Sequence, residues 1–305
     1  MPCNILVTGA YGFLGRHVSL LSARAGHRVV GIGHGSWSPS MWIHWGLSEW
    51  HESDITLDAM ISLAGKSDII VHCAGGSSVG FSMAYPAQDF DRTLVTTRNV
   101  LECARLHCPR VKIVLASSAS VYGDAINVPI SVTAPLRPVS PYGLHKQMAE
   151  ELCLSYARHF GVPVAIVRLF SVYGVGLRKQ LLWDACVKFA QGSATFGGTG
   201  QETRDWLHVD DAASLLLAAG FAASSNSLIM NGATGMGVST RQVVGGISKG
   251  FRNSGALQFS GVLRKGDPKH LVADMGSTQT LNWRPERIFE VELERYVEWF
   301  KAGAL

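Results

Sequence analysis

Three glycines spaced three apart, Gly9, Gly12 and Gly15 in T-G-A-Y-G-F-L-G, separate a β-branched apolar run (Asn4–Thr8, NILVT) from a stretch with helical periodicity over 13–25 that Gly26 closes. A buried-type strand that turns into a helix within a few residues commits the chain to βαβ architecture. The glycines allow a tight turn, aim the helix N–H groups outward and keep side chains out of the way of a pyrophosphate. The same alternation continues, with strands predicted at 28–32, 69–73, 112–117 and 164–169 and long helices at 86–106 and 141–159, the last with Pro141 in its first turn. Parallel strands joined by crossover helices form a doubly wound α/β sheet, whose binding crevice lies at the carboxyl ends of the strands. Functional residues are therefore expected just after each strand.

Past about residue 170 the pattern loosens into Gly-rich connections with helices near 181–191, 209–222 and 287–300. This predicts a dinucleotide-binding domain over 1–170 and a smaller α/β substrate-binding lobe over 171–305, with a segment at about 203–225 returning to the main domain. The stretch 33–50 holds four of the eight tryptophans (Trp37, Trp42, Trp45, Trp50) with little periodicity and reads as a packed loop whose indoles serve structure. Only 16% of the 305 residues are charged and 47% are apolar, which excludes a disordered chain. A net charge of +4 without a Lys or Arg block argues against nucleic acid as a partner. No run of 18 apolar residues occurs, and MPCNILVTG lacks the basic segment and cleavage site of a secretory leader, so a soluble, cytoplasmic protein without a membrane partner is expected. Six scattered cysteines without a C-x-x-C pair read as reduced thiols, with no metal site.

Two further constellations carry chemistry. Tyr142 and Lys146, four apart in Y-G-L-H-K, share one helix face, and an ammonium beside a phenol favours the phenolate, preparing Tyr142 to exchange a proton with a hydroxyl or carbonyl. The run S-S-A-S-V-Y-G, from Ser117 to Gly123, follows the strand at 112–117 and delivers hydroxyls to the same crevice. The tip of the second strand reads G-I-G-H-G-S and holds no carboxylate to accept ribose hydroxyls and repel a 2′-phosphate. His34 and Ser36 there are candidate donors to that phosphate, no Arg is present, and NAD and NADP both stay open.

With these pieces assembled, the chain resembles the extended short-chain dehydrogenase/reductases, specifically the nucleotide-sugar epimerases and dehydratases related to UDP-glucose 4-epimerase. The likeness spans nearly the whole length: T-G-A-Y-G-F-L-G, Asp54-Ile55, V-H-C-A-G, S-S-A-S-V-Y-G, Y-G-L-H-K, R-L-F-S-V-Y-G, R-D-W-L-H-V-D-D, then R-K-G-D followed by A-D and L-N-W-R-P. It implies a Rossmann domain with Tyr142 as acid/base, Lys146 on the nicotinamide ribose and Ser118 on the reacting sugar oxygen. The cofactor would lie along Gly9, Tyr11, Gly12, Phe13, Leu14 and Gly15, with His34 and Ser36 at its ribose, Asp54 and Ile55 by adenine, and Ala74, Gly75 and Phe170 alongside. Ser77, Ser118, Ser120, Ser171, Gln180, Arg204, Arg264 and Asp267 fall at substrate positions, the two arginines and Asp267 where the family grips the diphosphate and nucleoside of a sugar nucleotide. A homodimer through the helices at 86–106 and 141–159 is also implied.

The departures narrow the activity. Family dehydratases carry two acidic residues after the catalytic hydroxyl, where this chain has Ala119 and Ser120, so water loss lacks its acid and base. Ser171 and Thr93 replace family asparagines, and Ser77 replaces a lysine of some epimerases. What remains is a redox-neutral C4 epimerase using bound NAD(P), a one-way 4-keto sugar nucleotide reductase using NADPH, or a cofactor-sensing protein without catalysis.

Overall fold

The computed structural model describes residues 2–252, 255–262 and 268–303. Chain order in the first half is β1 (Asn4–Thr8), α1 (Phe13–Arg24), β2 (Arg28–Gly33), α2 (Pro39–His44), β3 (Glu49–Glu52), α3 (Leu57–Ala64), β4 (Ile69–His72), α4 (Val79–Ala84), α5 (Pro86–Phe90), α6 (Thr96–His107), β5 (Lys112–Ser118), α7 (Pro141–Phe160) and β6 (Val164–Leu169). The second half adds β7 (Ser171–Tyr173), α8 (Gln180–Ala190), β8 (Thr195–Phe196), β9 (Thr203–His208), α9 (Val209–Ala222), β10 (Leu228–Gly232), β11 (Gly237–Ser239), α10 (Thr240–Gly250), β12 (Gln258–Phe259), β13 (His270–Leu271) and α11 (Phe289–Lys301).

Seven parallel strands form the main sheet in the order β10-β6-β5-β4-β1-β2-β3. This is the doubly wound α/β arrangement that the alternation of periods predicts. Strand order reverses between β1 and β4, which opens the crevice at the carboxyl ends of those two strands. The strands are continuous apolar runs because both faces are covered: Ile5, Val7, Val71, Val114 and Val167 pack on the side of α9, while Leu6, Ile70, Ile113 and Ile166 pack on the side of α6 and α7. His72, fully buried, joins β1 to α6 through Thr8 Oγ1 at 2.7 Å and Thr97 Oγ1 at 3.1 Å. Around β9 a smaller sheet gathers β7 and β13 in parallel and β11 in antiparallel pairing.

Two local readings are corrected. The stretch 33–50 is not one loop: Pro39 at the helix start opens α2, and β3 begins at Glu49 as a seventh, edge strand. Its indoles do serve packing, with Trp37 lying 4.9 Å from the Tyr11 ring and 5.2 Å from Trp50. The helix at 86–106 is interrupted at Asp91–Val95 by a π-helical turn, a widening often found beside functional sites. Among the described residues no helix is long and apolar enough to cross a membrane.

Candidate active site

The glycine turn after β1 can exist only without side chains. Gly9 has φ +69°, and a Cβ there would stand 2.8 Å from the backbone nitrogen of Ala74; a Cβ on Gly15 would fall 2.3 Å from the Gly9 carbonyl. Gly12 precedes α1 with no side-chain cap, which leaves the first-turn N–H groups to an anion. A backbone cradle that any Cβ would fill suits a dinucleotide pyrophosphate.

From that turn a continuous series of contacts runs to the predicted acid/base. Gly9 abuts Ala74, and Gly75 abuts Lys146, whose Nζ lies 3.2 Å from where a Cβ on Gly75 would stand. Lys146 Nζ donates to the Ala116 carbonyl at 3.1 Å and lies 5.9 Å from the Tyr142 ring centroid. The Tyr142 hydroxyl is hydrogen bonded to Ser118, and Ser118 Oγ also accepts from Ser120 Oγ at 2.9 Å and Ser120 N at 3.2 Å. Residues from the ends of β1, β4 and β5 and the start of α7 thus meet, because Ser140 caps α7 at Gly143 N and Pro141 fixes its first turn. The packing is close enough that a Cβ on Gly143 would stand 2.6 Å from the Ser120 carbonyl. In the π-helical turn, Thr93 Oγ1 accepts from Gly76 N at 2.9 Å and holds the loop after β4.

Charge at this centre differs from the simple phenol and ammonium picture. Burial pushes the Tyr142 hydroxyl above the usual tyrosine value, opposed by the Ser118 hydrogen bond and reinforced by Asp89. Burial also lowers Lys146, opposed by Asp89, Cys73 and Glu150. In the chain alone, then, the phenol is held protonated.

The adenosine end holds more charge than its local sequence. Strand β3 pairs with β2 so that Gly33 faces Glu52, which brings two carboxylates to the tip that lacked one in sequence. Ser36 Oγ donates to Glu52 Oε1 at 3.1 Å, and His34 Nε2 lies 3.0 Å from Asp54 Oδ1. The hydroxyl and imidazole expected to greet a 2′-phosphate already face acidic partners; Ile55 is buried behind them.

Tyr11 packs against Trp37, and Phe13 joins the core of the second half, where its ring comes within 4.0 Å of a Cβ placed on Gly176. Leu14 packs on the main core, and Phe170 is buried with Tyr122. Ser171 opens β7, opposite Trp206 of β9. Gln180 begins α8 with φ +67°, a left-handed conformation uncommon for a non-glycine. Arg204 on β9 donates through Nη1 to the carbonyls of Thr203 at 2.9 Å and Lys269 at 3.2 Å. Arg264 and Asp267 lie outside the described residues. Sequence reasoning missed Lys179, whose Nζ crosses to the Ser77 carbonyl at 3.3 Å and whose ammonium is lowered by burial. It brings a cation to the place where Ser77 replaces the family lysine, and no spacing rule connects two positions 102 residues apart.

A doubly wound parallel sheet with a glycine cradle at its first turn defines a dinucleotide-binding α/β protein. The family model "NAD dependent epimerase/dehydratase family" matches residues 5–228, and the chain belongs to that family. It is 30% identical to a putative UDP-glucose 4-epimerase of Methanocaldococcus jannaschii, over 97% of this chain and 98% of the relative. The crystal structure of a UDP-glucose 4-epimerase from Thermotoga maritima with UDP-glucose superposes with a TM-score of 0.88 at 25% identity, covering 98% of this chain and 99% of the other. A Bacillus cereus UDP-glucuronic acid 4-epimerase variant, solved with UDP-4-deoxy-4-fluoro-glucuronic acid and NAD, gives a TM-score of 0.86 at 25% identity over 98% and 99% of the two chains.

Proposed function

We propose that this chain is an NAD-dependent 4-epimerase of a UDP-sugar. The observation that carries the reading is the hydrogen-bonded Ser118 and Tyr142 pair, with Lys146 beside it, one loop away from the Gly9 to Gly15 cradle. When bound, NAD would accept the C4 hydride and return it to the opposite face. Ser118 and Tyr142 would bind the C4 oxygen, Tyr142 taking its proton in the phenolate form that the cofactor-loaded site must favour, and Lys146 would hold the nicotinamide ribose. Tyr142 would give the proton back once the sugar has turned, so the reaction would carry no net redox change. Ala119 and Ser120 supply no acid or base for dehydration. Substrate and enzyme followed by proton NMR should show the C4 epimer of UDP-glucose or UDP-glucuronate accumulating without consumption of added NADPH; steady NADPH consumption would favour the reductase instead.

Glu52 and Asp54 support NAD over NADP. Glu52→Gln is expected to improve NADP affinity relative to NAD by roughly five- to tenfold, because a carboxylate that would repel the 2′-phosphate is gone. Calorimetric titration of both cofactors checks this. Arg204, Arg264 and Asp267 remain our candidates for the diphosphate and nucleoside, with Ser77, Ser171 and Gln180 near the sugar.

A homodimer through α6 and α7 is supported by the exposed Leu144 and Met148, one helical turn apart, which share a groove with Leu94 and Leu152. Light scattering at micromolar concentration should give twice the 32.9 kDa chain mass. The lobes at 1–170 and 171–305 remain our division, but the returning segment runs beyond about 203–225: α9 packs against β4, β5 and β6, and β10 (Leu228–Gly232) pairs with β6 in the main sheet. The buried thiols of Cys103, Cys108, Cys153 and Cys186 suit a reducing cytoplasm.

A further inference from the structure

Behind Tyr142 and Lys146 stands a second pair of titratable side chains that the motifs do not explain. Asp89 on α5 is 0% exposed, and its Oδ2 accepts a hydrogen bond from His145 Nδ1 at 2.6 Å. His145 directly precedes Lys146 on α7, so this pair is attached to the helix that carries the acid/base. A carboxylate without solvent is costly to bury unless a positive charge compensates it. The other oxygen, Oδ1, is buried without a hydrogen-bond partner. It lies 2.0 Å from where a Cβ on Gly76 would stand, while Lys146 Nζ lies 3.2 Å from the corresponding point on Gly75. The unpartnered carboxylate oxygen and the ammonium therefore press on adjacent residues of one loop.

We propose that Asp89, held in place by His145, is the buried countercharge of Lys146 and a positioning residue for the Tyr142 and Lys146 acid/base. This rests on the roles assigned to those two residues above. The groups facing Lys146 are Tyr142 and Glu150 on α7, Asp89 on α5, and His72 and Cys73 at the end of β4. Of these, His72 is held down to about 3 by burial and by Lys146, and burial pushes the Cys73 thiol up to about 12, so both are neutral at working pH. Glu150 is engaged by Arg168 at 2.8 Å. Asp89 is the foremost group opposing the effect of burial on Lys146.

The test is calorimetric titration with NAD, together with kcat, from about pH 6.5 to 9.5 for wild type, Asp89→Asn and His145→Gln. Without the carboxylate, Lys146 gives up its proton at lower pH, so the loss appears on the alkaline side. Asp89→Asn should lose roughly tenfold or more in NAD affinity on the alkaline side, at pH values where wild type still binds at full strength, with kcat falling in parallel. His145→Gln, which removes the imidazole and leaves the Asp89 carboxylate, should keep the wild-type alkaline limb. A structural role alone would lower affinity equally at every pH. An Asp89→Asn curve parallel to wild type, or a His145→Gln limb displaced as far as that of Asp89→Asn, would overturn the proposal. Should Asp89→Asn fail to fold, Asp89→Glu, which keeps the carboxylate, decides: an alkaline limb like that of wild type supports the countercharge, and a displaced limb refutes it. Wild type that binds NAD but converts no UDP-sugar would sink the epimerase reading while leaving this titration decisive.

Discussion

Tyr142→Phe is expected to slow epimerisation roughly 10²- to 10⁴-fold while leaving NAD affinity nearly unchanged, because only the proton-carrying oxygen is removed. Ser118 keeps its bonds from Ser120, so the loop after β5 retains its shape. The tyrosine hydroxyl is buried and held protonated in the chain alone, so its working state depends on charge delivered with the cofactor and retained by Lys146. Stopped-flow or NMR turnover assays measure the rate, and calorimetry measures NAD. A variant with near-normal kcat would remove Tyr142 from the mechanism.

The second large effect concerns stability. Glu150 on α7 and Arg168 on β6 form a buried pair, with side chains 1% and 5% exposed, through contacts of 3.1 Å from Nε and 2.8 Å from Nη2. Ser117 Oγ donates to the same carboxylate, and Arg168 Nη1 donates to Tyr122 Oη at 3.0 Å and the Val132 carbonyl at 2.8 Å. Glu150→Ala strands a guanidinium in the core and should cost about 3–5 kcal/mol, lowering Tm by roughly 5–15 °C. Replacing both partners with apolar residues of similar volume should recover most of the loss, since the pair's attraction mainly offsets its own desolvation. Thermal denaturation of the single and double variants checks both statements; a single-variant loss under about 1 kcal/mol would contradict the first. The same pair anchors α7 to β5 and β6 one turn beyond Lys146, so kcat should fall at temperatures well below unfolding.

Much of the site was legible because its signals are local. The glycine turn, Ser118 within S-S-A-S and the spacing of Tyr142 and Lys146 each lie inside one element or one connection. The secondary structure of 33–50 was less legible, since four tryptophans mask both α2 and the short edge strand β3. Cofactor choice stayed open for the same reason: the tip of β2 holds no carboxylate, and Glu52 reaches it only through pairing of a strand that periodicity did not reveal.

What the amino-acid order determined by itself is the doubly wound sheet and the short-range spacing of the residues proposed to react. Alternation of apolar periods and glycine spacing act over a few residues, and the backbone must satisfy them wherever the chain goes. Tertiary structure alone decided which distant charges share the crevice. Asp89 meets His145 across 56 positions and Lys179 meets Ser77 across 102. Such contacts depend on strand register and helix packing, which set distances of a few ångströms and hence the strength of charge interactions in a dry site.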